Sequence, residues 1–191
     1  MKAYQALLAL SLCLLAGLAS AEATGRALDI NLNDDAVRAG FAWPVGSGNT
    51  QLDVGWLHNQ DRGDVLHASF HLVDSAGSGN TPLDAGLGLR LVYTETDPSG
   101  FDGTALALGG FARYTLPNAD RFNIGGSLYY APDVVAFGDQ TEYYEISVRV
   151  GYNVLRDADV YIGFREIKAE YEGAGRLEYD SSLHVGFEFR F

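Results

Sequence analysis

Cysteine occurs once in this sequence, at Cys13, and nowhere beyond the first 21 residues. The body of the chain can therefore form no disulfide, offers no thiol nucleophile and holds no thiolate metal site. Basic residues are scarce: 13 Lys and Arg stand against 25 Asp and Glu, a net charge of −12. With no basic patch to meet phosphates, nucleic acid is excluded as a partner. Long apolar runs are missing after residue 19, and so is any helical periodicity. No G-x-S-x-G segment is present, so the nucleophile elbow of the α/β-hydrolases is missing too.

The one long apolar run lies at the start. Lys2 supplies a positive charge, Ala6 to Ala19 is almost unbroken apolar sequence, and Ala19, Ser20 and Ala21 give the small-x-small pattern of a signal-peptidase site. The run of about 14 residues falls short of the ~20 that a membrane-spanning helix needs. Cys13 is not read as a lipoprotein site, because the bulky Leu12 precedes it and apolar sequence continues past it. Residues 1–21 are thus expected to be an export signal, and residues 22–191 one domain without cysteine.

That domain alternates with period two between clusters of Gly, Asn, Asp, Pro and Ser. Its end is the clearest case. Leu183, Val185, Phe187, Phe189 and Phe191 share one face, and Ser182, His184, Gly186, Glu188 and Arg190 share the other. The same reading gives strands at 27–33, 36–45, 50–58, 65–73, 82–94, 104–116, 122–131, 142–154, 159–170 and 179–191. The chain carries 23 Gly, 11 Tyr and 10 Phe at a mean hydropathy of −0.03. These values fit strands with one lipid face and one polar face.

The expected fold is therefore all-β: an antiparallel up-and-down transmembrane β-barrel of ten strands. Eight is the alternative, since the first and third strands are weakly patterned. An even number puts both termini on one side, expected to be periplasmic. The short connections near 47–49, 74–81, 116–120 and 155–158 then lie there, and those at 97–103, 132–140 and 170–178 lie outside. Tyr93, Tyr114, Tyr130, Tyr144, Tyr152, Tyr179 and Trp43 are expected at strand ends on the lipid face, as an aromatic girdle. A soluble β-sandwich could use the same aromatics in a core, but the export signal and the terminal Phe191 favour the membrane.

The export signal, the acidic charge, the early segment FAWPV (41–45) and the ending HVGFEFRF (184–191) together resemble the YfaZ family of outer-membrane proteins. The resemblance covers the whole chain. It implies a barrel in the cell outer membrane of a Gram-negative bacterium, and it brings no catalytic residue with it.

Opposite the lipid face, alternation points Arg38, Arg90, Arg113, Arg149, Arg165 and Arg190 into the lumen, with Asp53, Asp84, Asp133, Glu145, Asp180 and Glu188. An arginine at the lipid midplane costs about 2–4 kcal/mol, so the inward setting is selected energetically. Two readings stay open. Arg90, Arg149 and Arg165 could form a cationic stripe facing an acidic wall, as at a porin constriction. They could instead brace a filled bore by pairing with Glu145 and Asp180. Inward glycines such as Gly40, Gly55, Gly125, Gly163 and Gly186 would give long arginines room.

His67, Ser69, His71 and His184 also face inward and invite a metal or hydrolase reading. Residues four apart on a strand are about 13 Å apart, too far for one ion. No catalytic residue, metal site or cofactor is therefore assigned. The outer loops carry most of the negative charge, including Asp34, Asp35, Asp61, Asp64, Glu95, Asp97, Asp139, Glu142, Glu170 and Glu178. Such a rim attracts divalent cations, which would bridge it to lipopolysaccharide phosphates. Arg62-Gly63-Asp64 spells an adhesion tripeptide, though a glycine in a turn needs no further reason. Phe187, Phe189 and Phe191 are expected to form the signal read by the barrel-assembly machinery. The function expected is structural, or that of a small-bore passive channel without turnover. The alternatives are a rim-sited hydrolase acting on lipid or peptide, and a surface interaction protein using its acidic loops.

Overall fold

A computed structural model describes residues 25–46, 49–75, 82–97 and 100–191; the export signal expected over 1–21 lies outside the described residues. The chain runs through β1 (Ala27–Leu32), β2 (Ala36–Pro44), β3 (Thr50–Asn59), β4 (Gly63–Ser75), β5 (Leu83–Thr96), β6 (Asp102–Leu116) and β7 (Ala119–Ala131). It continues through a short β8 (Ala136–Gly138), β9 (Gln140–Leu155), β10 (Ala158–Tyr171) and β11 (Gly175–Arg190). Every sequential neighbour in the wall pairs antiparallel, with β7 next to β9. β1 then pairs with β11, from Ala27↔Arg190 to Leu32↔Val185. Main-chain bonds between Arg26 and Phe191, at 2.9 and 3.2 Å, complete the closure. The result is a closed barrel of ten strands, with β8 as an addition in one loop.

Arg26 and Phe191, near the two ends of the described residues, lie together at one end of the barrel, here the terminal end; the other is the loop end. The outer wall is a band of exposed aliphatics, with Leu72, Leu87, Leu108, Ile124, Ile162 and Leu183 each more than half exposed. A soluble protein would bury such a band; a lipid-facing one has no reason to. Aromatic side chains mark its edges: Trp43, Tyr114, Phe122 and Tyr152 near the terminal end, Trp56, Tyr93, Tyr130 and Tyr144 near the loop end.

Two expected positions are corrected. Tyr179 does not join the girdle. The β10–β11 ladder steps from Ile167↔Asp180 to Lys168↔Glu178, a bulge that inserts Tyr179 as an extra residue. A bulge breaks strict alternation, so Tyr179 and Asp180 both turn inward and are buried. Asp133 does not face the lumen either. Pro132 has no N–H to give a ladder, the chain leaves β7, and Asp133 begins an exposed 3-10 turn. β8 then folds back onto Gly103–Ala105 of β6, covering the flank that β7 leaves bare beyond Leu108↔Tyr130.

The wall is uneven in height. β1, β2 and β3 have 6, 9 and 10 residues, whereas the wall strands from β4 to β11 have 13 to 16. Inside, the loop half is an apolar layer. It comprises Leu57, Val65, Val92, Ala105, Ala107, Tyr129, Ala131, Tyr143, Ile167, Ala169, Tyr171 and Tyr179, capped by Phe101, Val135, Ala136 and Leu177. The terminal half is polar. Its glycines receive rings more often than arginines: Tyr161 lies against Gly186, His67 against Gly55 and His184 against Gly163, while Arg149 lies beside Gly125.

Candidate functional site

The interior of the terminal half encloses a cavity of about 450 Å³. Arg38, Asp53, Arg90, Arg113, Arg149, Arg165, Glu188 and Arg190 line it, and Asp84 stands exposed at its mouth. Side-chain exposure is 1% at Arg165, mid-strand on β10, and 35% at Arg190, the last residue of β11. The cavity is thus a vestibule open at the terminal end. Among the described residues, Tyr129 is the one member of the apolar layer that lines it, and so forms part of its floor.

Two networks hold the floor. Glu145 on β9 is almost fully buried and accepts from Arg38 at 2.9 Å, Arg90 at 2.7 Å and the Tyr143 hydroxyl at 2.8 Å. A buried carboxylate is tolerable only with such partners, and here two guanidiniums supply them. The Arg90 guanidinium also lies 3.6 Å over the Tyr129 ring, a cation–π contact. Beside it, the register Asp53↔Ser69 places His67 and His71 on either side of Ser69 on one face of β4. Both rings lean onto Asp53, at 3.2 and 3.1 Å. The two histidines therefore meet over one carboxylate, while no cluster with metal-holding geometry forms among the described residues.

A polar column climbs the wall made by β1, β10 and β11. Arg165 donates to Asp180 at 2.7 and 2.5 Å and to Asn31 at 2.7 Å. Asn31 donates to Asp29 at 2.9 Å, and the Tyr161 hydroxyl donates to the same carboxylate at 2.7 Å. Arg149 bonds Asp29 at 3.2 Å and Glu188 at 2.5 Å. Glu188 also accepts from Arg113 at 2.7 Å, and Arg113 reaches Asp159 at 2.7 Å. Of the three mid-strand arginines, Arg90 thus meets Glu145 and Arg165 meets Asp180. Arg149 meets neither: it sits lower in the bore, level with Asp29 and Glu188. Asp29, Asn31, Asn123 and Asp159 belong to this network without having been singled out from the sequence. Asp29 and Asn31 were open to that reading, since they alternate with the outward Leu28, Ile30 and Leu32.

The apolar layer carries its own hydroxyls in pairs. Tyr171 donates to Thr94 at 2.6 Å, and the Tyr171 and Tyr179 hydroxyls meet at 2.5 Å. Polar groups buried in an apolar layer need such partners.

The geometry bears on the other readings. The Ser69 hydroxyl donates to Asp53 at 3.2 Å and accepts from Arg90 at 2.9 Å, so it is committed as a brace. Asp64 of the tripeptide accepts from Trp56 at 2.7 Å and lies 3.0 Å from His58 on the outer wall. Part of the acidic rim is cross-paired: Arg176 bonds Glu142 and Glu170, and Lys168 bonds Glu166 and Glu178.

The chain is similar to several known proteins. Residues 3–191 match a family model described as "YfaZ precursor". "Outer membrane protein YfaZ" of Escherichia coli (strain K12) is 28% identical over 164 residues, which cover 85% of this chain and 87% of that protein. A solved structure of a KdgM porin is similar at a TM-score of 0.47 and 12% identity, over 87% of this chain and 98% of that one. The outer membrane channel DcaP of Acinetobacter baumannii gives 0.44 and 10%, over 85% of this chain and 54% of that one.

Proposed function

The chain belongs to the YfaZ family of outer-membrane proteins, and from that premise we propose that it is a barrel that rests closed. It forms a small-bore passive pathway, entered through a charged vestibule, with no chemical turnover. The terminal end faces the periplasm and the acidic loops face outward. The observation that carries this reading is the apolar layer across the loop half of the bore, which ends the vestibule midway. Water and ions do not cross a packed layer of tyrosine and aliphatic side chains while it is in place. Below it, guanidiniums and carboxylates neutralise one another, so the vestibule offers an ion a polar path without a single-sign trap.

Reconstitution in planar bilayers tests this. The wild-type barrel should stay closed for most of the record, with rare small steps. Truncating the apolar layer with Tyr129→Ala, Tyr143→Ala and Ile167→Ala together should give sustained ohmic conductance. A wild-type barrel standing permanently open would overturn the closed state. A silent truncated barrel would overturn the pathway. Loss of acyl chains from lipid A on expression would overturn the absence of turnover and restore the hydrolase alternative.

A further inference from the structure

The wall of the barrel is not equally strong all round. β11 continues from His184 to Gly175 beyond Val185, the last residue that β1 pairs with. Those roughly ten residues, at ~3.3 Å each, leave ~33 Å of strand edge above the short β1–β2 hairpin. The corresponding gap on β6 is filled by β8. Here, among the described residues, no strand pairs with 175–184 on the β1 side. Side chains join the seam instead. Asn33 donates to Asp180 at 3.1 and 3.3 Å and to Ser182 at 2.5 Å, and Asn59 donates to the Tyr179 carbonyl at 2.9 Å. Asn33 and Ser182 are half-buried, so water can replace the bonds Asn33 makes as they part. The Asn59 bond to Tyr179 is buried and is wetted only once upper β11 has moved.

What lies behind the seam differs from the rest of the loop half. Asp180 bonds Arg165, Arg165 bonds Asn31, and both Arg165 and Asn31 line the vestibule. A hydrogen-bonded column therefore runs from the seam to the vestibule alongside the apolar layer. The bulge at Tyr179 sits at this point of β11 and lets the strand bend there.

We infer that the seam between upper β11 and the β1–β2 and β3–β4 hairpins is the gate of the barrel. Upper β11 moves away from Asn33 and Asn59, water reaches Asp180, and the Asp180–Arg165–Asn31 column becomes continuous with the vestibule. This opening breaks side-chain bonds and shifts Tyr179 within the apolar layer, but it breaks no ladder pair. A route elsewhere must unzip a strand pair or hollow the apolar layer. The inference rests on the reading of a barrel that rests closed.

Single-channel recording in KCl tests it with two variants, each first shown to be folded by its heat-dependent shift on gels. Asn33→Ala with Asn59→Ala should raise the open fraction at least tenfold over wild type. In Asn33→Cys with Ser182→Cys, the exported chain has no other thiol, and oxidation should abolish openings that reduction restores. The seam is overturned if the alanine variant is as quiet as wild type while the Tyr129, Tyr143 and Ile167 truncation conducts; the closed-channel reading then survives. It is also overturned if the disulfide forms and openings continue. Should the truncation be silent as well, both readings fall together.

Discussion

Glu145 concentrates the energetics of the interior in one side chain. Two guanidiniums and a phenol converge on it in a nearly dry site. Removing the carboxylate leaves Arg38 and Arg90 facing each other with only Asp53, 3.5 Å from Arg90, as a remaining counter-charge, a loss of about 3–5 kcal/mol for a buried pair. Glu145→Ala should therefore lower the unfolding temperature on gels, and Arg90→Met in the same protein should restore part of it. Arg149→Ala should not, since Arg149 is paired with Asp29 and Glu188; an equal rescue by both would refute the pairing. Gly186 makes a second case. The Tyr161 ring occupies the space of its missing side chain, so Gly186→Val should cost about 1–3 kcal/mol by displacing that ring. Unchanged stability would mean that the ring is free to move. At this scale alternation of period two reads Arg38, Arg90, Glu145, Arg149 and Glu188 inward. It also reads Asp133 inward, which the structure places in an exposed turn, and it passes over Asp29 and Asp159. It could not tell which of the inward charges meet, because that depends on how far each strand is shifted along its neighbours.

Among the elements, β10 shows most clearly what was legible and what was missed. Its lower half reads Val160, Ile162 and Phe164 outward, as in any lipid-facing strand. From Glu166 onward the sense inverts: Glu166, Lys168 and Glu170 point out, while Ile167, Ala169 and Tyr171 point in and are buried. Read for lipid contact alone, this stretch looks like a strand giving way to charge. It is instead the point at which the wall leaves the apolar band and becomes an ordinary water-facing sheet, apolar inside. The same inversion marks the apolar layer as a whole. The last residue of β11's partner line offers a further test. Phe191 stacks on Phe189 at 5.6 Å and lies 6.3 Å from Phe41, and its main chain closes on Arg26. We expect the barrel-assembly machinery to need that aromatic end, so Phe191→Asp should lower outer-membrane levels while leaving export intact. Normal levels of the variant would count against it.

For the molecule as a whole, the strand number, strand ends and antiparallel order were readable from the sequence to within a few residues. Unequal height and one-sided closure were not, since both arise where strands of different length are brought side by side. The aromatic edges of the apolar band give a test at this scale. Trp43 and Trp56 lie on opposite edges, so in single-tryptophan proteins (Trp56→Phe or Trp43→Phe) bromines placed near the headgroups should quench each more than bromines at mid-chain. Stronger quenching from mid-chain for either one would put that edge in the hydrocarbon and the band out of place.

Closure by β1 and β11 has a consequence in time. The first strand of the barrel to be synthesised must find the last, so the pairing that seals the wall has the longest sequence separation of any in the fold. Loop closure over so many residues is slow, and it cannot begin until Phe191 has been made and exported. Until then the chain crosses the periplasm with its lipid-facing leucines and phenylalanines unsheltered. Its net charge of −12 then keeps copies apart by mutual repulsion during transit. The excess of acid over base left after the interior pairs are made thus acts before the wall exists.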